Sequence, residues 1–228
     1  MSESPGYDVR FINVAVAGGL DVKLRVLLDR QQYSDPSGEA ETAGISPAAW
    51  PMFGLLWPSA QKLADLMQVW QLGENRVLEV GCGLALASLV VHRREGNIAA
   101  SDCHPLAESF LKANLLLNKL PALKYQVGNW GRINPAYGTA DLIIGSDLLY
   151  ERDHPERLCG YISQQAAPTA TVLIIDPNRS NRNAFHRHMA AIGFVLTESA
   201  INAPLADGTP YAGRLLRYQR EREAPKGP

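Results

Sequence analysis

The sequence predicts an α/β fold: a seven-stranded, mostly parallel sheet with helices on both faces, an antiparallel final strand, and a β-hairpin ahead of it. Three observations predict it. From residue 76 onward, short apolar runs alternate with stretches of helical length, the pattern of a parallel sheet with crossover helices. The last two β-rich runs have no helix between them, so they pair antiparallel. Near the start, two β-rich runs flank a Gly-Gly turn.

Taken in order, the hairpin runs are residues 9–16 and 22–30, with Gly18-Gly19 and Asp21 as the turn signal. Residues 33–49, rich in Ser, Pro, Gly, Glu and Ala, are expected to be a loop. An apolar, aromatic segment follows, Trp50-Pro51-Met52-Phe53-Gly54-Leu55-Leu56-Trp57-Pro58. Ser59 is the expected cap of a helix running to about Trp70. Core strands are expected at 76–80, 97–101, 123–127, 141–145 and 171–175, and helices at 84–94, 105–118, 154–167 and 181–192. The unbroken run Val172-Leu173-Ile174-Ile175 suits a strand covered on both faces. Strands at 193–198 and 213–218 complete the sheet, with Asp207-Gly208 as a turn between them. The charged tail 219–228 is expected to fray. The organisation is thus a hairpin and Trp-rich segment, 1–58, packed on a core, 59–218, with no internal repeat and no second domain.

Charge and cysteine usage exclude several classes. The chain has 228 residues, 22 basic against 23 acidic, for a net charge of −1. That balance gives no global positive field to gather nucleic acid. Cys82, Cys103 and Cys159 are odd in number and irregularly spaced, which is neither a disulfide framework nor a metal site. The start of the chain lacks a signal-peptide pattern, and no stretch approaches the roughly 20 apolar residues that span a bilayer. A soluble, cytoplasmic, metal-free monomer is expected.

The chemistry is expected at the first core strand. Gly81 and Gly83 follow it and precede a helix, where glycine lets the chain turn sharply and lets a ligand approach the backbone. Ligands of open α/β sheets bind at the carboxyl ends of the strands. Leu86 stands where a dinucleotide fingerprint needs its last glycine, and no Gly-Lys-Ser/Thr of a P-loop is present. Glu79 is a carboxylate inside an apolar strand, and burying it calls for a partner. The cations of S-adenosylmethionine would supply one; a bond to backbone is the alternative. Asp102, at the end of the second strand, is placed to hold a ribose or to cap the next helix. Asn129-Trp130, after the third strand, suit an adenine, or the core.

The run Glu79-Val80-Gly81-Cys82-Gly83-Leu84-Ala85 resembles the first motif of the seven-strand, Rossmann-like class I methyltransferases, with Ala85 replacing a third glycine. Gly54-Leu55-Leu56-Trp57-Pro58 and Asp147-Leu148-Leu149-Tyr150 resemble the lysine methyltransferase-like group, methyltransferase family 16, over about residues 50–200. Asn114 and Asn118 fit its pattern as well. The resemblance implies S-adenosylmethionine as cofactor. It implies that Glu79, Gly81 and Gly83 line the methionine end, that Asp102 holds the ribose, and that Asn129 and Trp130 flank the adenine. Trp57 would cover the cofactor, and Cys82, Cys103, Ser146 and Asp147 would add contacts. Asn129 departs from the group, where an Asp often precedes the Trp. Asp147 and Tyr150 would be the catalytic pair, orienting an amine and stabilising its developing charge. A helix cap and a packed ring are their structural alternatives.

The acceptor implied is a lysine side chain of a protein. A small-molecule acceptor and a cofactor-binding protein without catalysis are the competing readings. Base methylation is disfavoured, because Ser146-Asp147-Leu148-Leu149-Tyr150 lacks the prolines of amino-methylating nucleic-acid enzymes. Asp176-Pro177-Asn178-Arg179, on the same rim, is expected to turn the chain, with contact to substrate as the alternative. A metal at His104 lacks ligands, and His186 and His188 are expected on the surface.

Overall fold

The computed structural model describes residues 6–132 and 139–221. A two-stranded antiparallel hairpin, β1 (Val9–Val14) and β2 (Val22–Leu27), stands beside a seven-stranded sheet. The sheet comprises β3 (Val77–Val80), β4 (Ile98–Asp102), β5 (Lys124–Val127), β6 (Ala140–Ser146), β7 (Ala166–Asp176), β8 (Val195–Ile201) and β9 (Gly213–Arg220). Their order is β5-β4-β3-β6-β7-β9-β8. β9 runs antiparallel to both its neighbours, and the first five strands are parallel. The chain begins at β3, steps outward to β5, and returns to β6 on the other side. The loops after β3 and β6 therefore lie side by side, at the switch point where such sheets bind ligands.

Side-chain alternation along the strands divides the core in two. Val77, Ala100, Leu142, Ile144 and Leu173 join one cluster with α2 (Pro58–Val69), α3 (Leu86–Arg93), α4 (Ala107–Leu117) and the hairpin's Val22, Leu24 and Val26. Leu78, Val80, Ile143, Val172 and Ile174 join the other, with α5 (His154–Gln165) and α6 (Arg182–Ala191). A short helix α1 (Glu39–Thr42) and a 3-10 turn (Trp50–Gly54) carry the chain from hairpin to core. Trp50, buried to 1% exposure, packs edge-on against Phe53 and His104 and tilted against Tyr7. That aromatic knot ties the N-terminal segment to β4 and α4.

Several expectations change. Ser59 caps nothing: Pro58 fills the first helical position with Trp57 at the N-cap, and the Ser59 hydroxyl pairs with Tyr211 Oη at 2.9 Å inside the protein. The expected loop 33–49 contains α1. α5 stops at Gln165 because β7 starts at Ala166. Gln219 and Arg220 belong to β9, where Arg220 donates to the carbonyls of Ala166, Ala167, Pro168 and Ile192. Residues 222–228 of the expected tail lie outside the described residues. His186 is half-buried, its ring bonded to Tyr218 Oη at 2.6 Å, whereas His188 is exposed. Among the described residues no helix is long and apolar enough to cross a membrane.

Candidate active site

A cavity of ≈ 290 Å³ opens over the carboxyl ends of β3, β4, β5 and β6, a size at the low end for small-molecule sites. Its floor is the glycine loop. Gly81, Gly83 and Ala85 all adopt positive φ, at 59°, 50° and 59°, so the loop winds tightly into α3. A methyl group on Gly83 would stand 2.9 Å from the Phe53 carbonyl oxygen, and one on Gly81 2.7 Å from Leu148. Ala85, fully buried, bears the left-handed conformation at a cost of roughly 1–2 kcal/mol. That is the conformational reason a glycine would suit its position.

Gly81, Cys82, Gly83, Asp102, Cys103, Asn129, Trp130, Ser146, Asp147, Tyr150 and Trp57 all line this cavity. Asp102 is buried, and its two oxygens accept from the backbone N–H groups of Gly83 (2.8 Å) and His104 (2.9 Å). It thereby clamps the glycine loop to the end of β4. Burial raises its pKa. Burial also pushes the Cys103 thiol to about 12. Neither cysteine of the lining is a ready thiolate, since burial raises Cys82 as well.

Glu79 is not in the lining. It is 3% exposed and its Oε2 accepts from the Ser88 backbone N–H (2.8 Å) and hydroxyl in the first turn of α3. Burial, opposed by those bonds, lifts its pKa to about 7. Glu79 thus braces the loop from behind. Asn129 donates weakly to Ala43 O and accepts from Gly131 N at 2.9 Å, leaving one lone pair of its oxygen for other use.

The acceptor side is built on the end of β6. Asp147 has φ +54° and its N–H donates to Ile175 O of β7. It caps no helix, because α5 begins only at His154. Its carboxylate instead receives Arg179 in a bidentate pair, Nε–Oδ1 2.7 Å and Nη2–Oδ2 2.9 Å. Residues 176–179 do turn the chain, with Asp176 Oδ1 accepting from Arg179 N–H. The same turn delivers Arg179 to the cavity. The pairing follows from sheet order: Ser146 is in register with Ile175, so residues just beyond β6 and β7 meet. Tyr150 packs edge-on against His154 at 4.5 Å and keeps 39% exposure. His154 is a lining residue that sequence reasoning passed over. Its Nδ1–H donates to Leu148 O at 2.7 Å, and its ring meets Trp130 edge-on. No local pattern signals it.

The remaining wall comes from the N-terminal segment, with Ala43, Ile45, Met52, Phe53, Leu56 and Trp57. Trp57 is pinned by a bond from its indole N–H to Met52 O (2.9 Å), with Arg30 over its ring at 5.2 Å. His104 stacks on Phe53 at 3.7 Å, and burial lowers its pKa to about 3, so it is neutral. Among the described residues no group of side chains is arranged to hold a metal ion.

Known proteins share the fold and the family. A family model described as lysine methyltransferase matches residues 44–192. The protein N-lysine methyltransferase METTL21A of Xenopus tropicalis is 23% identical over 159 residues, covering 65% of this chain and 73% of that one. A methyltransferase from Pyrococcus furiosus superposes with a TM-score of 0.59 at 14% identity, over 73% of this chain and 87% of that one. The magnesium protoporphyrin IX methyltransferase of Synechocystis PCC 6803, solved with bound S-adenosylmethionine, gives 0.54 at 15%, over 73% and 86%. Those two structures share the fold, and the family model spans the glycine loop, Asp102, Asp147 and Tyr150 together. This chain is therefore a member of the lysine methyltransferase family, methyltransferase family 16, and an S-adenosylmethionine-dependent methyltransferase.

Proposed function

We propose that this methyltransferase N-methylates a lysine side chain of a protein. The observation that carries the reading is the Asp147 carboxylate with Tyr150 beside it on the cavity wall at the end of β6. The family description and the frog relative's name point the same way. The lining fits the cofactor. Bare backbone at Gly81 and Gly83, a buried acid at Asp102 with lone pairs beyond its two backbone bonds, and Asn129 with Trp130 share one cavity. In this reading Asp102 holds the ribose, Asn129 and Trp130 the adenine, and the loop backbone the methionine end. Cys82, Cys103, Ser146 and Trp57 shape the walls. Glu79 acts from behind the loop as a charge.

When bound, the cofactor supplies an activated methyl group, which the amine's lone pair takes as the carbon–sulfur bond breaks and the bonding electrons stay on sulfur. The protein's work is alignment and exclusion of water. A lysine ammonium, with a free pKa of about 10.4, has to shed a proton to water before transfer. Asp147 orients the nitrogen, and the Tyr150 hydroxyl stabilises charge growing on it. Met52, Leu56 and Trp57 give the mouth an apolar side.

The test uses labelled cofactor with a cell lysate and the purified enzyme, followed by hydrolysis of the labelled protein. Label recovered as Nε-methyllysine supports the reading; label confined to the small-molecule fraction rejects it. Asp147→Ala should abolish transfer while cofactor affinity by calorimetry stays within a few fold. Full transfer activity in that variant would remove Asp147 from the mechanism.

A further inference from the structure

We propose that Arg179 is a specificity-determining residue: it occupies the carboxylate that receives the acceptor, so that only a cationic amine able to displace a guanidinium gains the site. The inference rests on the reading of Asp147 as the acceptor's carboxylate. Both oxygens of Asp147 are already engaged, at 2.7 and 2.9 Å, by the planar fork of Arg179. Bidentate pairing of this kind is the strongest form a carboxylate–guanidinium contact takes. Both partners line the cavity.

The two partners are not equally free. The Asp147 side chain is 11% exposed, and its backbone is fixed by the bond to Ile175 and a left-handed φ. The Arg179 side chain is 40% exposed and hangs from a turn. Among the described residues it has no second carboxylate within ion-pair distance, whereas the nearby Arg214 and Arg182 both reach Glu198. Arg179 is accordingly the partner that yields, and it yields to solvent. A neutral acceptor, such as a hydroxyl, offers Asp147 nothing to replace the guanidinium. An anionic acceptor would reinforce Arg179 in place. A primary ammonium on a long arm is a compact charge with three donors and can take both oxygens in turn. The latch reduces apparent acceptor affinity by the fraction of time the carboxylate is uncovered.

Calorimetric titration of the full chain compares two probes. One is S-adenosylhomocysteine. The other is a bisubstrate analogue, in which a nitrogen carrying a 2-aminoethyl chain replaces the sulfur, so that its terminal ammonium stands where the acceptor amine would. Arg179→Gln should bind the bisubstrate analogue roughly tenfold more tightly than the parent, with S-adenosylhomocysteine unchanged within about twofold. Arg179→Lys, which keeps the charge but loses the fork, should fall between. If Arg179→Gln instead weakens the analogue as Asp147→Asn does, Arg179 merely holds Asp147 in place and the proposal fails. An unchanged affinity would place the pair outside the acceptor's path and also overturns it. Failure of the underlying reading looks different: Asp147→Asn would then leave the analogue's affinity intact in the Arg179 and Arg179→Gln backgrounds alike.

Discussion

Glu79 braces the glycine loop from behind and, in the proposed reading, also presents a charge to the ligand through it. Its carboxyl is buried, bonded to Ser88, and lifted from an ordinary 4.5 to about 7 by desolvation. A raised pKa means that the folded state binds the proton more tightly than the unfolded chain. The stability this confers is complete below about pH 4.5 and is lost as pH climbs through about 7. The loss is at most about 3 kcal/mol. Glu79→Gln keeps the shape and an oxygen for Ser88 but has no charge to bury. In thermal denaturation without cofactor, the variant should match the parent near pH 5 and exceed it near pH 8. Parallel curves across that range would contradict the argument. Cofactor affinity should respond in the opposite sense. A bound cation favours the carboxylate, so the parent binds more tightly as pH rises through 7, and the variant loses that dependence.

At the level of elements, α4 does more than cover the sheet. Asn114, fully buried, accepts from Arg25 N–H at 2.7 Å and donates to Leu84 O at 3.3 Å. Asn118, one turn later, pairs with both the N–H and the carbonyl of Lys23. Two amides on one helix face thus complete the free edge of β2 and tether the glycine loop to it. Asn114→Ala strands one buried and one half-buried backbone partner, worth about 3 kcal/mol together, and should lower Tm by roughly 6–12 °C. Asn118→Ala, at a half-buried site that water can reach, should cost under half as much. Equal losses in differential scanning calorimetry would deny α4 this bridging role. The bridge also marks what the sequence could reveal. The strand–helix alternation and the glycine pair are local patterns, and they located the sheet and the cavity floor. Asn114 met β2 and the loop across separations of 89 and 30 residues, and no local spacing encodes that. For Arg179 the sequence left turn and substrate contact both open, because its partner lies 32 residues earlier. Ser59 misled because Pro58 had already taken the helix start and the hydroxyl had a distant phenol to meet.

For the whole molecule, the question is whether the N-terminal segment is an appendage or a wall of the site. Val22, Leu24, Trp50 and Phe53 share one hydrophobic cluster with Leu63, Val90 and Phe110 of α2, α3 and α4. The same segment contributes Ala43, Ile45, Met52 and Trp57 to the cavity that Gly81, Asp102 and Asp147 complete. Phe53 O lies so close to Gly83 that no side chain would fit between them. A ligand in this cavity therefore touches both parts and binds only when they are docked. At about 100 times its Kd, S-adenosylhomocysteine adds roughly 2.7 kcal/mol to the docked state, and by linkage that gain reaches every amide whose exchange requires undocking. Hydrogen exchange should slow around residues 43–57 in step with residues 81–86 when the ligand is added. Amides of the β8–β9 edge, which lines no part of the cavity, gain only what global unfolding imposes. Protection confined to 81–86, with 43–57 exchanging as before, would show that the N-terminal segment opens independently of the site. The acceptor would then enter past a loose flap, and the apolar side that Met52 and Trp57 give the mouth could not keep water from the transfer.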